Sequence, residues 1–198
     1  MSETSPSASC NPSTSTQFTG TVGVPLPSTF MKLLDDEGHE VLALGQPGEI
    51  VIKGPQVMAG YWLRPDETAR SMTPDGFFKS GDIGIRDARG YFKIVDRKKD
   101  MILVSGFNVY PNDVEETVSL CPGVLECAAV GVPDEKTGEA VKLVIVKKDF
   151  ALTELAVREY CRVNMTGYKQ PKLIEFKTEL PKTAVGKILR RELRDAPK

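Results

Sequence analysis

The chain has 198 residues and a formal net charge of −1, because 27 acidic residues nearly balance 26 lysines and arginines. This balance leaves no basic excess to capture nucleic acid, so we expect no nucleic-acid partner. No apolar run approaches the roughly 20 residues of a membrane-spanning helix, and the polar N-terminus is unlike a secretory signal.

The cysteine and histidine content argues against two kinds of site. The four cysteines show no C-x-x-C spacing, and His39 is the only histidine. Structural zinc sites are usually made by closely spaced Cys and His ligands, and this chain lacks that spacing. With a single histidine, a Cys/His nucleophile pair is also not indicated. We interpret the cysteines as buried, reduced thiols of a cytosolic protein.

The first half of the chain has a β-rich pattern. Residues 1–20 are rich in Ser and Thr and indicate a tail or a loop. After them, short strand-like runs alternate with turns that contain Gly or Pro, and the clearest predicted strands are residues 31–35, 49–54 and 91–96. This spacing favours a small antiparallel sheet or part of a barrel.

The pattern becomes mixed after residue 98. MILVSG predicts a buried strand, and Pro111 predicts the start of a helix that ends near Cys121. Residues 125–132 and 140–148 predict two strands joined by the turn PDEKTGE. Thr153 predicts the N-cap of a helix that reaches about residue 165. The run KLIEF predicts a further strand, and a last helix of about ten residues is predicted to begin near Lys187.

These elements together predict an α+β fold. We expect a mostly-β piece over residues 1–98 and a compact α+β domain over residues 99–198.

Residues 75–100 contain the first candidate site. Asp82 is flanked by Gly81 and Gly84 on a predicted turn, where a carboxylate can accept hydrogen bonds from a vicinal diol such as ribose. The alternative is a turn aspartate that bonds its own backbone. The DRKKD run that follows is also typical of a solvated face or a linker.

Two further positions are candidates for ligand binding. Lys187 follows Gly186 and precedes a basic, apolar stretch, so a flexible loop can present it to a phosphate or a carboxylate. The alternative is a solvated lysine at a helix start. Gly106 ends a predicted strand, where it is either an ordinary turn residue or a point of close contact with a narrow ligand.

Six motifs occur in an order that resembles the C-terminal part of the AMP-forming acyl-CoA synthetases, members of the adenylate-forming superfamily. The motifs are GEIVIKG, GYWLRPDET, DGFFKSGDIG, the DRKKD stretch, TGYKQPK and PKTAVGKILRREL. Within that family, DGFFKSGDIGIRDARGYFKIVDRKK is most similar to the signature stretch of long-chain fatty acid–CoA ligases.

The resemblance implies a two-step reaction and roles for three residues. A fatty acid and ATP would form an acyl-adenylate and pyrophosphate, and CoA would then release AMP and form the thioester. By position, Asp82 would bind the ribose hydroxyls and Arg97 would support the ribose or the hinge. Lys187 would be the adenylation lysine, which bridges the carboxylate and the α-phosphate and offsets charge in the transition state.

The resemblance also implies roles for four other residues. Lys99 would lie at the hinge of the small domain, and Gly106 would line the pantetheine tunnel. Ser2 and Glu3 match the end of a family motif whose usual form is Tyr-Gly-x-Thr-Glu. The Ser2 hydroxyl would meet phosphate, and Glu3 would help to hold Mg²⁺.

The main departure from the family is at the start of the chain. The Tyr and Gly of that motif and the Ser/Thr/Gly-rich phosphate loop do not occur in the 198 residues. We therefore expect residues 1–98 to be the C-terminal part of the large AMP-binding domain, with the rest of that domain missing, and residues 99–198 to be the small C-terminal lid domain. Residues 1–20 are expected to be mobile or packed abnormally.

These features predict that the chain is inactive by itself and that the intact ligase is cytoplasmic, with peripheral contact with a membrane left open. The alternatives are a ligase for medium-chain or aryl acids and a stand-alone, non-catalytic module that binds a nucleotide or a partner protein.

Overall fold

The computed structural model describes residues 1–184 and 186–194 of the chain. They fall into two units, Met1–Lys98 and Lys99–Lys198, and each unit has its own sheet and hydrophobic core. Helices and strands are mixed along the chain, which confirms the predicted α+β class.

The first unit is built on an antiparallel sheet. Its strands are β1 (Ser9–Cys10), β2 (Val24–Pro25), β3 (Phe30–Leu34), β4 (Gly48–Lys53), β5 (Phe78–Arg86) and β6 (Phe92–Arg97). The strands β3, β4, β5 and β6 are neighbours in that order, and β1 pairs with β2 separately. Among the described residues this sheet is open, and it does not close into a barrel. The three strands predicted in this part correspond to β3, β4 and β6 within one residue.

The core of the first unit follows from the alternation of side chains along its strands. Ile50 and Ile52 lie on one face of β4 and pack with Leu33 and Phe92, all 3% exposed or less. The period of two places such residues on one face of a strand. Because β4 has a partner on each side, it is an inner strand of the sheet, and it is buried along most of its length.

A short helix of the first unit is absent from our sequence predictions. Helix α1 (Pro65–Ser71) begins with Pro65 at its first position and has Asp66 and Glu67 in its first turn. These residue types at these positions are typical of a helix start. The signal is present in the sequence, but seven residues give too little apolar periodicity to reveal the helix.

The N-terminal segment lies against the first unit. Thr4 is fully buried, Ala8 packs on the core, and Ser9 and Cys10 pair with β2. Our expectation that residues 1–20 are mobile stays a prediction, since these contacts do not measure motion.

The second unit contains a mixed sheet covered on both faces. Its elements are β7 (Ile102–Val104), β8 (Phe107–Val109), α2 (Pro111–Ser119), β9 (Val124–Asp134), β10 (Gly138–Lys147), α3 (Glu154–Asn164), β11 (Leu173–Lys177) and α4 (Arg190–Arg194). Strand β10 pairs antiparallel with β9 and β7 and parallel with β11, and β7 also pairs with β8. The β9–β10 hairpin confirms the two strands predicted around PDEKTGE.

The two faces of the hairpin carry different cores. Ala129 and Leu143 face the cluster that includes Val114 of α2 and Val157 of α3. Their neighbours in the strands, among them Val130 and Val144, face the other side. That second cluster is completed by Leu180, Leu193 and the partly buried Ile188. The segment before and within α4 therefore covers the face opposite to the two longer helices.

The helices α2 and α3 confirm the start and stop signals in the sequence. Pro111 occupies the first position of α2, which ends at Ser119, just before the predicted limit at Cys121. The Thr153 hydroxyl accepts a hydrogen bond from the Ala156 amide at 3.2 Å and caps α3. Such a cap satisfies an amide that has no partner inside the helix.

The last helix begins later than predicted. Helix α4 begins at Arg190, not near Lys187, because Lys187 and Ile188 pair with Thr183 and Lys182 instead. Lys182 forms an antiparallel bridge with Ile188, and the Leu189 amide donates to the Pro181 carbonyl at 2.8 Å. The predicted end of this helix lies beyond Arg194, outside the described residues.

Among the described residues, no helix is long and apolar enough to cross a membrane.

Candidate active site

Lys187 lies on the C-terminal side of a small loop in the second unit. Its carbonyl accepts a hydrogen bond from the Thr183 amide at 2.8 Å, and its own amide donates to the Thr183 hydroxyl at 3.1 Å. Gly186, just before it, has φ of +80°, a conformation that glycine adopts without steric cost. The backbone of Lys187 is therefore fixed by its neighbours, while its side chain is exposed.

Asp82 lies within strand β5, so the predicted turn is wrong. Gly81, with φ of +71°, and a register shift between Ile83 and Gly84 distort the strand at this point. Such a bulge re-aims side chains while the strand continues. Two glycines around an aspartate are compatible with a turn and with a bulged strand. Only the pairing with β4 and β6 decides between the two.

The structure brings Asp82 and Arg97 together. They are register partners on β5 and β6, and the Arg97 Nε lies 2.8 Å from the Asp82 Oδ1. The Asp82 side chain is 17% exposed, whereas that of Arg97 is 49% exposed. Asp82 is thus a mostly buried carboxylate beside a cation.

A second carboxylate supports this region from β4. Glu49 is 8% exposed, and its Oε1 accepts a hydrogen bond from the Gly81 amide at 3.2 Å. Its Oε2 accepts from the Lys98 Nζ at 3.1 Å. Glu49 therefore ties the residue before Asp82 to the residue after Arg97, a role that sequence analysis missed. Its position inside GEIVIKG resembles an ordinary solvent-facing strand residue.

Asp82 lines a cavity of about 270 Å³ in the first unit. The wall also includes Ser80 and, from the N-terminal segment, Met1 and Thr4. Polar and apolar groups therefore meet at the cavity beside the Asp82–Arg97 pair. Such a mixture is typical of small-molecule sites.

Ser2 and Glu3 form a short 3₁₀ turn with Thr4. The Tyr61 hydroxyl donates to Glu3 Oε1 at 3.2 Å, and the Met58 amide donates to the Glu3 carbonyl at 2.8 Å. Burial, followed by the charge of Glu3, raises the pKa of Tyr61, so this phenol stays a donor to the carboxylate. Ser2 is exposed.

Gly106 lies in the tight connection between β7 and β8. Its φ is +83°, and a Cβ built on it would meet no atom within 4 Å among the described residues. The preceding residue, Ser105, also has a positive φ, of 51°. The backbone conformation explains why glycine is favoured here, and the space around it is open.

Lys99 lies in a 3₁₀ turn at Lys98–Asp100, where the first unit ends and the second begins. Its side chain is exposed, whereas Lys98 pairs with Glu49 at 3.1 Å and with Asp36 at 3.3 Å. The two adjacent lysines thus have different surroundings, which residue type by itself does not reveal.

The predicted residues fall into two sets. Ser2, Glu3, Asp82 and Arg97 belong to the first unit, and the second unit contains the remaining three, Lys99, Gly106 and Lys187. Within the first set, the structure places Asp82 against Arg97, and Glu3 is instead tied to Tyr61.

Comparisons with family models and with known proteins indicate the same family. The model of the AMP-binding enzyme family matches residues 1–62, and that of the AMP-binding enzyme C-terminal domain matches residues 113–187. A long-chain-fatty-acid–CoA ligase of Escherichia coli O6:H1 is 56% identical over 195 residues, which cover 98% of this chain and 34% of that protein. A feruloyl-CoA synthase of an Amycolatopsis species is 45% identical over 176 residues, which cover 88% of this chain and 35% of that protein.

A solved structure agrees with these relatives. The crystal structure of ATP-bound MatB from Rhodopseudomonas palustris superposes with a TM-score of 0.91 at 36% identity, over 98% of this chain and 39% of that one. The chain spans about a third of the length of the curated relatives that it matches. The motifs, the fold and these matches together show that the chain belongs to the adenylate-forming acyl-CoA synthetases.

Proposed function

We propose that this chain is the C-terminal portion of a long-chain fatty acid–CoA ligase. The ligase converts a fatty acid and ATP into an acyl-adenylate and pyrophosphate, and then converts the acyl-adenylate and CoA into acyl-CoA and AMP. The main support is the high identity, along nearly the whole chain, to relatives named for long-chain fatty acids. Residues 1–98 are the end of the large AMP-binding domain, and residues 99–198 are the small C-terminal domain.

Lys187 carries the adenylation step in this proposal. Its ammonium bridges a carboxylate oxygen of the fatty acid and an α-phosphate oxygen of ATP. Negative charge builds up on these oxygens as the carboxylate attacks, and a cation placed there stabilises the transition state more than the ground state. The braced backbone and exposed side chain of Lys187 suit this role.

Asp82 and Arg97 hold the ribose of the nucleotide. Asp82 accepts hydrogen bonds from the vicinal hydroxyls, and the Arg97 guanidinium, 2.8 Å from its Oδ1, fixes the orientation of the carboxylate. The cavity that Asp82 lines lies beside this pair. Glu49 of β4 holds the neighbours of this pair, because it accepts hydrogen bonds from the Gly81 amide and the Lys98 Nζ.

Ser2 and Glu3 would hold the phosphates and Mg²⁺. The donor set fits this metal, because Mg²⁺ prefers hard oxygen ligands and is commonly held by one or two carboxylates together with substrate phosphates. Glu3 supplies one carboxylate, and its Oε2 has no hydrogen-bond partner among the described residues. The bound ion would neutralise phosphate charge, and the Ser2 hydroxyl would donate to a phosphate oxygen.

Lys99 and Gly106 serve the second step. Lys99 lies at the junction between the units and acts as the hinge residue there. Gly106 lines the path of the CoA pantetheine, where the absence of a side chain leaves room for the thiol. We further propose that the ligase is cytoplasmic, in keeping with four free cysteines, and that it contacts membranes peripherally to collect its substrate.

The acid class is the finer part of the proposal. Similarity to a feruloyl-CoA synthase favours an aryl acid as the second candidate substrate. Steady-state assays of the intact ligase with oleate, octanoate and ferulate compare a long-chain, a medium-chain and an aryl acid as substrates. We expect the highest kcat/KM for oleate, and a preference for ferulate would overturn the assignment to fatty acids.

The role of Lys187 is tested by measuring the two half-reactions of the intact ligase separately. Lys187→Ala should abolish acyl-adenylate formation and largely spare thioester formation from supplied acyl-adenylate. Lys182→Ala is the matched control, because Lys182 lies on the other side of the same loop and pairs with Glu126 at 2.6 Å. Equal loss of both half-reactions in Lys187→Ala would contradict the proposed role.

A further inference from the structure

Arg190, at the start of α4, makes a nearly buried ion pair with α2. Its side chain is 15% exposed, and that of its partner Glu115 is 17% exposed. The Arg190 Nη2 donates to Glu115 Oε2 at 2.8 Å and to Oε1 at 3.0 Å, and Nε donates to Oε1 at 3.3 Å. The Asn112 Oδ1 accepts another hydrogen bond from Nη2 at 2.8 Å. A guanidinium held by several acceptors has a fixed position and orientation.

Glu115 is itself anchored to the sheet. Its Oε1 accepts a hydrogen bond from the Ala129 amide of β9 at 2.8 Å. Through Glu115, the Arg190 guanidinium is therefore tied to both α2 and β9. Arg162, by contrast, pairs with Glu159 on the surface of α3, where the two side chains are 66% and 59% exposed. Exposed pairs of that kind contribute little.

The anchor lies three residues from Lys187 along a tightly bonded backbone. Between them, the Leu189 amide donates to the Pro181 carbonyl at 2.8 Å, and Ile188 bridges to Lys182. Lys187 itself is bonded to Thr183 in both directions. Displacement of Arg190 would therefore be transmitted to the base of the Lys187 side chain, because little slack remains between them.

We propose that the Arg190–Glu115 pair is a positioning device that sets the place of the Lys187 ammonium in the adenylation step. This inference rests on the proposed function of Lys187. Lysine is a point charge on a flexible stem, so its electrostatic contribution depends on where the backbone places it. Arg190 acts only through Lys187 and is a positioning residue, not a catalytic one.

The inference predicts a loss confined to one half-reaction. In the intact ligase, Arg190→Ala should lower kcat for acyl-adenylate formation about 10- to 100-fold, the range expected when a reacting group is displaced by about 1 Å. The KM values for ATP and fatty acid should change little, because the effect is on the transition state. Thioester formation from supplied acyl-adenylate should be spared.

Two further variants separate positioning from general destabilisation. Arg190→Lys keeps the charge but cannot form the forked bond to Glu115, so it should restore part of the lost kcat. Glu115→Gln keeps an acceptor for the Ala129 amide, and in combination with Arg190→Ala it should add little further loss. Arg162→Ala is the matched control for removal of an Arg–Glu pair from the same unit, and it should leave both half-reactions unchanged.

Lys187→Ala is measured alongside and distinguishes the two claims. If Lys187→Ala retains adenylation, the proposed function fails. If Lys187→Ala loses adenylation while Arg190→Ala keeps it within about twofold of the unmodified enzyme, the positioning inference alone is overturned. Parallel loss of both half-reactions in Arg190→Lys and Arg190→Ala would also overturn it. If Arg190→Ala does not fold, the Arg190→Lys and Glu115→Gln measurements decide.

Discussion

Gly106→Leu tests whether a side chain at this position blocks the second half-reaction. Two effects of the substitution must be separated, namely backbone strain and obstruction of the CoA path. The strain is estimated from the φ of +83°, which costs an L-residue about 1–2 kcal/mol. That cost is a small part of the roughly 5–15 kcal/mol by which a domain is stable, so the variant should fold.

Gly90 offers a matched control for the strain. It has the same φ of +83°, and a Cβ built on it also meets no atom within 4 Å among the described residues. It lies in the turn between β5 and β6 of the first unit, where its amide donates to the Asp87 carbonyl at 3.0 Å. Gly90→Leu should therefore carry the same strain at a position to which no role in CoA binding is assigned.

The assay is thioester formation by the intact ligase from supplied acyl-adenylate and CoA, with pyrophosphate release as the measure of adenylation. An obstruction of the proposed CoA path that costs about 1–3 kcal/mol, the range for overpacked sites, corresponds to about a 5- to 150-fold slower thioester step for Gly106→Leu. Pyrophosphate release should stay near the unmodified rate in both variants. Equal thioester rates in Gly106→Leu and Gly90→Leu would refute the obstruction argument.

Three further predictions concern stability and thiol reactivity. Leu193→Ala should lower the free energy of unfolding by about 2–5 kcal/mol in denaturant titrations, because the Leu193 side chain of α4 is fully buried against the sheet. A loss below about 1 kcal/mol would contradict this packing. Burial, helped by the charge of Glu115, raises the pKa of Cys127 to about 12, and burial raises that of Cys161 to about 11, so an aromatic disulfide reagent at pH 8 should label the exposed Cys10 first. The folded pKa of Cys127 is above the unfolded value near 9, so its stabilising contribution is present below pH 9 and is lost as pH rises towards 12. The urea midpoint should therefore fall less between pH 8 and pH 11 in Cys127→Ala than in the unmodified protein.

Local sequence was sufficient for the elements whose signals are short-range. Proline at the start of α2 and threonine before α3 act on amides within one turn, so they predicted both helix starts. Two apolar runs separated by a polar turn predicted the β9–β10 hairpin in the same way. The family could be recognised because six motifs recur in order, which requires no knowledge of contacts.

Contacts between distant segments decided the rest. Asp82 lies in a strand because β4 and β6 pair on either side of it, and its partner Arg97 follows from the register of that pairing. The last helix begins at Arg190 because residues before it bond across the Lys187 loop.

The ion pair of Arg190 with Glu115 joins residues 75 positions apart, and the contact between Glu49 and Lys98 joins residues 49 positions apart. A charged residue in a helix or strand has the same local pattern whether it faces water or a buried partner. Only the folding of the chain, which removes both groups from water and brings them within hydrogen-bonding distance, distinguishes the two cases.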